Sequence, residues 1–242
     1  MAKGPKIIFR IPILGGIPVT ETIVNMWLIM AIVVAFCIFI TRGMKVRPAS
    51  KRQMIAEKLV EMLNNFVKGT MGEKNLPFAP YIGTLFTLSI LGSISSMFTL
   101  RPYTADLSVT LGWALVTFCM VQFYNIKNNG FGGWIKGFFE PVPFMLPMNV
   151  IGEIANPISM SFRHFGNIAA GMVITSLLYG ALASLSAAVL SFIPNAFINS
   201  IPIFQLGVPA ILSIYFDLFS SFLQAYIICM LTMVFVASAN EA

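Results

Sequence analysis

Between Lys136 and the last residue, Ala242, the chain carries a single lysine or arginine, Arg163, set in the apolar stretch ISMSFRHFGNIAAGMVI. So long a segment with so little charge cannot coat a water-soluble domain, which restricts the fold to one that a bilayer solvates. The rest of the chain agrees: mean hydropathy is +0.85, and 10% of residues are charged against roughly 25% in soluble domains. With about 20 residues per crossing, the 242 residues form one membrane domain of some five or six helices, without a separate soluble catalytic domain. The formal charge of +6 lies beside the apolar runs, where it reports orientation and contact with anionic lipid rather than nucleic-acid binding. Cys37, Cys119 and Cys229 lie far apart in apolar runs and show no metal or disulfide spacing.

Lys3, Lys6 and Arg10 precede the first hydrophobic run as in a signal peptide, yet Thr22 to Ile40 is too long and lacks a small-residue cleavage site. It is expected to remain as a span. Arg42, Lys45, Arg47, Lys51 and Arg52 follow it, which marks that end as cytoplasmic. From residue 50 to 68, Met54, Ile55, Leu59, Val60, Met62, Leu63 and Phe66 recur at helical spacing against Glu57, Lys58 and Glu61, predicting an amphipathic helix along the inner surface. Residues 76 to 125 read as a hairpin of two spans, about Leu76 to Leu100 and Leu107 to Asn125, joined on the outside by RPYTAD. The Gly- and Pro-rich loop NIKNNGFGGWIKGFFEPVP returns to the inner side. Two longer apolar segments follow, about Pro147 to Phe192 and Ile203 to Ala239, separated by IPNAFINSIP. Each exceeds one perpendicular crossing, so each is expected to be broken or steeply tilted. The fold class is therefore an all-α integral membrane protein whose last two helices, over about 147–239, make a long tilted hairpin.

Both long segments carry a polar stripe. At about 100° per residue, Asn149, Asn156, Ser159, Arg163 and Asn167 share one face of the first, with Glu153 at its edge. Ser213, Asp217, Ser220, Ser221 and Gln224 share one face of the second. Serine and asparagine alone would suit a structural polar seam. The addition of Arg163, Glu153 and Asp217 points to an ion path, because ionisable groups in membrane spans mark such routes. An antiparallel hairpin with Arg163 opposite Gln224 would place Asp217 beside Ala170 and Gly171. Glu153, Asn156 and Ser159 would then lie on the cytoplasmic side of Arg163, and Asn167 and Asp217 on the outer side. His164 lies about 100° around the helix from Arg163, which favours a structural role over a proton-carrying one. Asp106 sits both at the outer turn, where it would attract cations, and before a helix start, where it would cap.

This order of residues resembles subunit a of the rotary F-type ATP synthase. PISMSFRHFGNIAAG is similar to that family's signature around an essential arginine, and Gln224 in LQAYIICMLT to its paired glutamine. The likeness extends through GIPVTET, YTADLSVTLGWAL and GGWIKGFFEPVPFMLPMNVIGEIANPIS. It implies a bacterial plasma-membrane, multi-pass subunit with a cytoplasmic C-terminus, non-catalytic and without cofactor or metal. Its partners would be the proteolipid subunits of the c-ring, the peripheral-stalk subunit b, the other ATP synthase subunits and the bilayer. Arg163 would face the ring's ion-binding carboxylate, with Asn167, Asp217 and Gln224 lining an outer half-channel and Glu153, Asn156 and Ser159 on the inner side. The chain departs from the pattern in three places. Met172 cannot carry the glutamate some members have there, so the outer role falls to Asp217. Asn149 stands where many relatives have a second glutamate, and His164 stands where an apolar residue is more usual. Protons are the expected ion, with sodium the alternative; a secondary transporter with Arg163 at its substrate site is a weaker reading, since the two halves show no internal repeat.

Overall fold

The computed structural model describes residues 6–12, 17–45, 50–98, 100–140, 142–190, 203–205 and 214–241. Among them, five helices are long and apolar enough to cross a membrane. A small antiparallel hairpin, β1 (Ile7–Ile11) and β2 (Ile17–Thr20), precedes the helices and pairs Ile7 with Thr20 and Ile11 with Ile17. The all-α reading did not include it; its β-branched and aromatic residues favour extended backbone. The main chain of Glu21 donates to the Lys6 carbonyl at 2.9 Å, seating the hairpin on the start of the first helix.

Helix α1 (Glu21–Thr41) matches the first predicted span and turns Ile32, Phe36, Ile38 and Phe39 outward, as a lipid-facing helix does. Helix α2 (Lys51–Met71) begins at Ser50, whose hydroxyl accepts from the Gln53 main chain at 3.3 Å, and ends at Gly72, where φ of +79° requires glycine. Val67 and Met71 anchor its far end in the core, while Met54, Ile55 and Leu59 stay exposed.

Helix α3 (Ala79–Ile94) is flanked by 3-10 turns at Glu73–Phe78 and Ser95–Phe98. Helix α4 (Leu107–Gly137) starts at an Asp106 cap and continues 12 residues beyond the predicted end at Asn125. NIKNNGFGGWIKG is therefore helical rather than a loop. Gly130, at φ +69°, takes the kink in a conformation other residues resist, so the helix bends there and resumes.

Helix α5 (Leu146–Leu190) is one continuous 45-residue helix containing Pro157. At 1.5 Å per residue it is about 68 Å long, more than twice the hydrocarbon thickness, so it is unbroken and must run obliquely. A 3-10 turn at Ile203–Gln205 returns along it, the Phe204 main chain donating to Ser186 Oγ at 3.2 Å and Gln205 Nε2 to the Tyr179 carbonyl at 2.7 Å. A π-helical turn, Ile214–Phe219, then leads into α6 (Ser220–Glu241). The predicted outer turn IPNAFINSIP and Ser213 lie outside the described residues.

The core, formed by Val67, Met71, Ile82, Leu85, Ala114, Met160, Ile228, Cys229 and Met233, ties α2 through α6 together. Asn240 closes one end of it, donating to Asn75 Oδ1 at 2.5 Å and accepting at its carbonyl from Asn128 Nδ2 at 3.1 Å. That end, where α5 starts and α6 finishes, also carries Lys68, Lys74, Lys127 and Lys136, so α5 and α6 are antiparallel.

Candidate ion-translocation site

At the α5–α6 crossing Asn167 Nδ2 donates to Ser220 Oγ at 2.7 Å. Because the helices are antiparallel, one turn from each of these residues toward the basic end brings Arg163 level with Gln224. Arg163, Asn156, Ser159 and Asn167 are all exposed, and the same face of α5 continues as exposed Ala170, Ile174 and Leu177. Arg163 makes no salt bridge to any described residue. The ion pairs present lie at the ends of the fold: Lys68 with Glu73, Arg101 with Glu21 at 3.9 Å, and Lys136 with Glu140 at 3.9 Å. Gln224, by contrast, is buried on α6.

His164 points the other way. It is 0% exposed, its ring packs edge-on to Trp113 at 5.8 Å, and Nε2 lies 3.5 Å from Ser89 Oγ, while Nδ1 has no partner. The structure thus separates it from the Arg163 face and places it among α3, α4 and α5.

Toward the basic end, a cavity of about 230 Å³ opens between α4, α5 and α6. Glu153 and Asn156 line it together with Asn125, Thr117 and Ser238. Glu153 accepts from Gln122 Nε2, and Gln122 Oε1 accepts from Trp134 Nε1 at 2.8 Å. A second, aromatic-walled cavity of about 500 Å³ shares Glu153 and Phe118 with the first. Ser159 does not line either cavity. Asn149 is occupied elsewhere, donating to the carbonyls of Phe138 at 2.9 Å and Glu140 at 3.0 Å and so clamping the α4–α5 connection.

At the opposite end Asp106 caps α4, Oδ1 accepting from the Ser108 main chain at 3.1 Å while Oδ2 accepts from Thr22 Oγ1 at 3.0 Å. Asn25 Nδ2 joins Ser95 Oγ at 3.2 Å to the Arg101 carbonyl at 2.9 Å, and Ser93 meets Thr104 at 3.1 Å. Tyr103, fully buried, donates to the Leu88 carbonyl at 2.6 Å, and burial pushes its phenol above the usual range. Position 217 falls on the π-helical turn before α6; the Asp217 side chain lies outside the described residues.

The geometry therefore puts Arg163 level with Gln224, Asn167 with Ser220 one turn away, and Glu153 with Asn156 at the cavity nearer the basic end. Gln122 and Trp134 escaped the sequence reading. A lone glutamine in the apolar run TFCMVQFYN was the available signal, since a polar side chain within a span needs a partner.

The family profile "ATP synthase A chain" matches residues 23–237. "ATP synthase subunit a, sodium ion specific" of Propionigenium modestum is 32% identical over 98% of this chain and 85% of the relative. "ATP synthase subunit a 1" of Crocosphaera subtropica is 34% identical over 92% and 87%, and "ATP synthase subunit a" of Moorella thermoacetica 30% over 93% of both. With five membrane-length helices carrying an Arg163–Gln224 level and a profile match across nearly all of them, the chain belongs to the ATP synthase A chain family.

Proposed function

We propose that this chain forms the two offset half-channels of the stator in a rotary ATP synthase, passing protons to and from a ring of proteolipid subunits that covers the open face of α5. The observation that carries the reading is Arg163, an exposed cation on a helix face whose other polar groups, Asn156, Ser159 and Asn167, are uncharged, with no acidic partner among the described residues. Facing lipid, that charge costs roughly 2.5 to 3.5 kcal/mol on insertion scales, so the face fits a membrane-embedded partner bearing a carboxylate. The arginine then blocks direct leakage and drives each passing carboxylate to give up its proton. Asn167, Asp217 and Gln224 serve the outer half-channel, and Glu153, Asn156 and Ser159 the inner one. Each proton crossing 100 mV releases about 2.3 kcal/mol, so several pass for each ATP made by other subunits. The sequence has no P-loop phosphate motif, in keeping with a non-catalytic role.

The basic end faces the cytoplasm of a bacterial cell, which puts the C-terminus there as well. The peripheral-stalk subunit b belongs among the partners with the ring. The deciding experiment is Arg163→Ala in the assembled complex in vesicles: proton-driven ATP synthesis should vanish while the complex still assembles. Normal synthesis would sink the assignment. The name of the Propionigenium modestum relative favours sodium as the second reading, and a sodium requirement for ATP hydrolysis by the complex would replace the proton while leaving these residues in place.

A further inference from the structure

Gln122 contacts Glu153 across 31 residues of sequence, and nothing about the spacing of α4 required it. The direction of the contact follows from donor chemistry. The indole nitrogen of Trp134 can only donate, so the Gln122 amide must turn its oxygen to Trp134 and its NH2 to Glu153. The facing oxygen of Glu153 is therefore an acceptor. One turn on, Pro157 has no N–H to give the Glu153 carbonyl, which leaves a main-chain acceptor of the same residue beside the cavity that both residues line.

We propose that Gln122 is a positioning residue of the inner pathway: oriented by Trp134, it holds the Glu153 carboxyl group at the 230 Å³ cavity, where that group passes protons on toward the basic end. This rests on the channel reading of the chain. Among the described residues Glu153 is the only titratable group lining either cavity. The facing groups from α4 are Gln122, Asn125 and Trp134, from α5 Asn156, and from α6 Ser238, none of which titrates near neutrality. The lysines of α4 are engaged elsewhere, Lys127 over the Tyr124 ring at 5.7 Å and Lys136 toward Glu140.

The test uses the whole complex in vesicles, with ATP synthesis driven by a potassium diffusion potential. Without the donor, nothing in the contact pair holds the Glu153 carboxyl group at the cavity. Gln122→Leu should therefore slow synthesis about tenfold, while Gln122→His, which keeps a side-chain donor, should restore most of the rate. Trp134→Phe, which keeps Gln122 but frees its amide to turn, should give a smaller loss. An unchanged rate for Gln122→Leu overturns the proposal, as does an equal loss in Gln122→His, the mark of a merely structural role. Arg163→Ala in the same vesicles reads the channel assignment separately: if it still makes ATP, that reading has failed whatever Gln122 does.

Discussion

Asn167 and Ser220 meet across the α5–α6 crossing, the amide nitrogen donating to the hydroxyl at 2.7 Å. The contact marks the register of the two helices, and from it Gln224 of α6 stands at the level of Arg163. A slip of one residue would turn Gln224 to another side of its helix, about 100° away.

The contact is testable by a double-mutant cycle. Asn167→Leu and Ser220→Ala should each destabilise the complex in detergent, and the pair should cost about 0.6 kcal/mol less than the sum, the usual coupling for a hydrogen bond between membrane helices. Additive losses would mean the two side chains do not interact.

Gly92 lies under the Tyr103 ring. A Cβ added there would clash with Tyr103 Cζ, and the ring cannot retreat, being fully buried and tied by its hydroxyl to Leu88. Gly92→Ala should cost about 1 to 3 kcal/mol, the range for overpacking, seen as a lower midpoint of thermal unfolding. Gly83→Ala meets only the mobile tip of Leu63, at 2.6 Å, and should lower the midpoint less. Equal effects would show that Tyr103 is free to move.

His164 faces the interior with one nitrogen lacking any partner. His164→Leu removes that buried polar atom and should leave stability unchanged or raise it. ATP synthesis should keep its pH profile through the region of an ordinary histidine pKa, about 6.5. A selective loss of rate across that interval would place His164 on the proton route.

Orientation can be read with cysteine probes in a background where Cys37 and Cys119, both exposed, are replaced. A cysteine at exposed Ser108 should react with an impermeant reagent added from outside the cell, and one at exposed Lys51 should not. The opposite pattern would invert the assignment of inner and outer half-channels.

Much of this architecture was legible in the chain because membrane spans are written in composition. The run Thr22 to Ile40 became α1, one residue longer at each end, and the amphipathic stretch from 50 to 68 became α2. Asp106, readable either as a cap or as a mouth residue, does act as the cap of α4. The end of α4 was misread because glycine and asparagine signal loops by average behaviour, whereas here the chain breaks at one glycine, at φ +69° and ψ 167°, and resumes a helix directly after it. The Gln122–Glu153 pair was hidden for a different reason. Periodicity reveals which residues share a helix face but is silent about which helix that face meets.

The unbroken course of α5 makes it a ruler. Glu153 and Asn167 are 14 residues apart on one continuous helix, about 21 Å along its axis, and Pro157 between them removes one main-chain hydrogen bond without ending it. If the two were carried on separate helices, the interval would vary with every flexing of the joint. Carried on a single helix, that interval follows from the count of residues between the two polar groups.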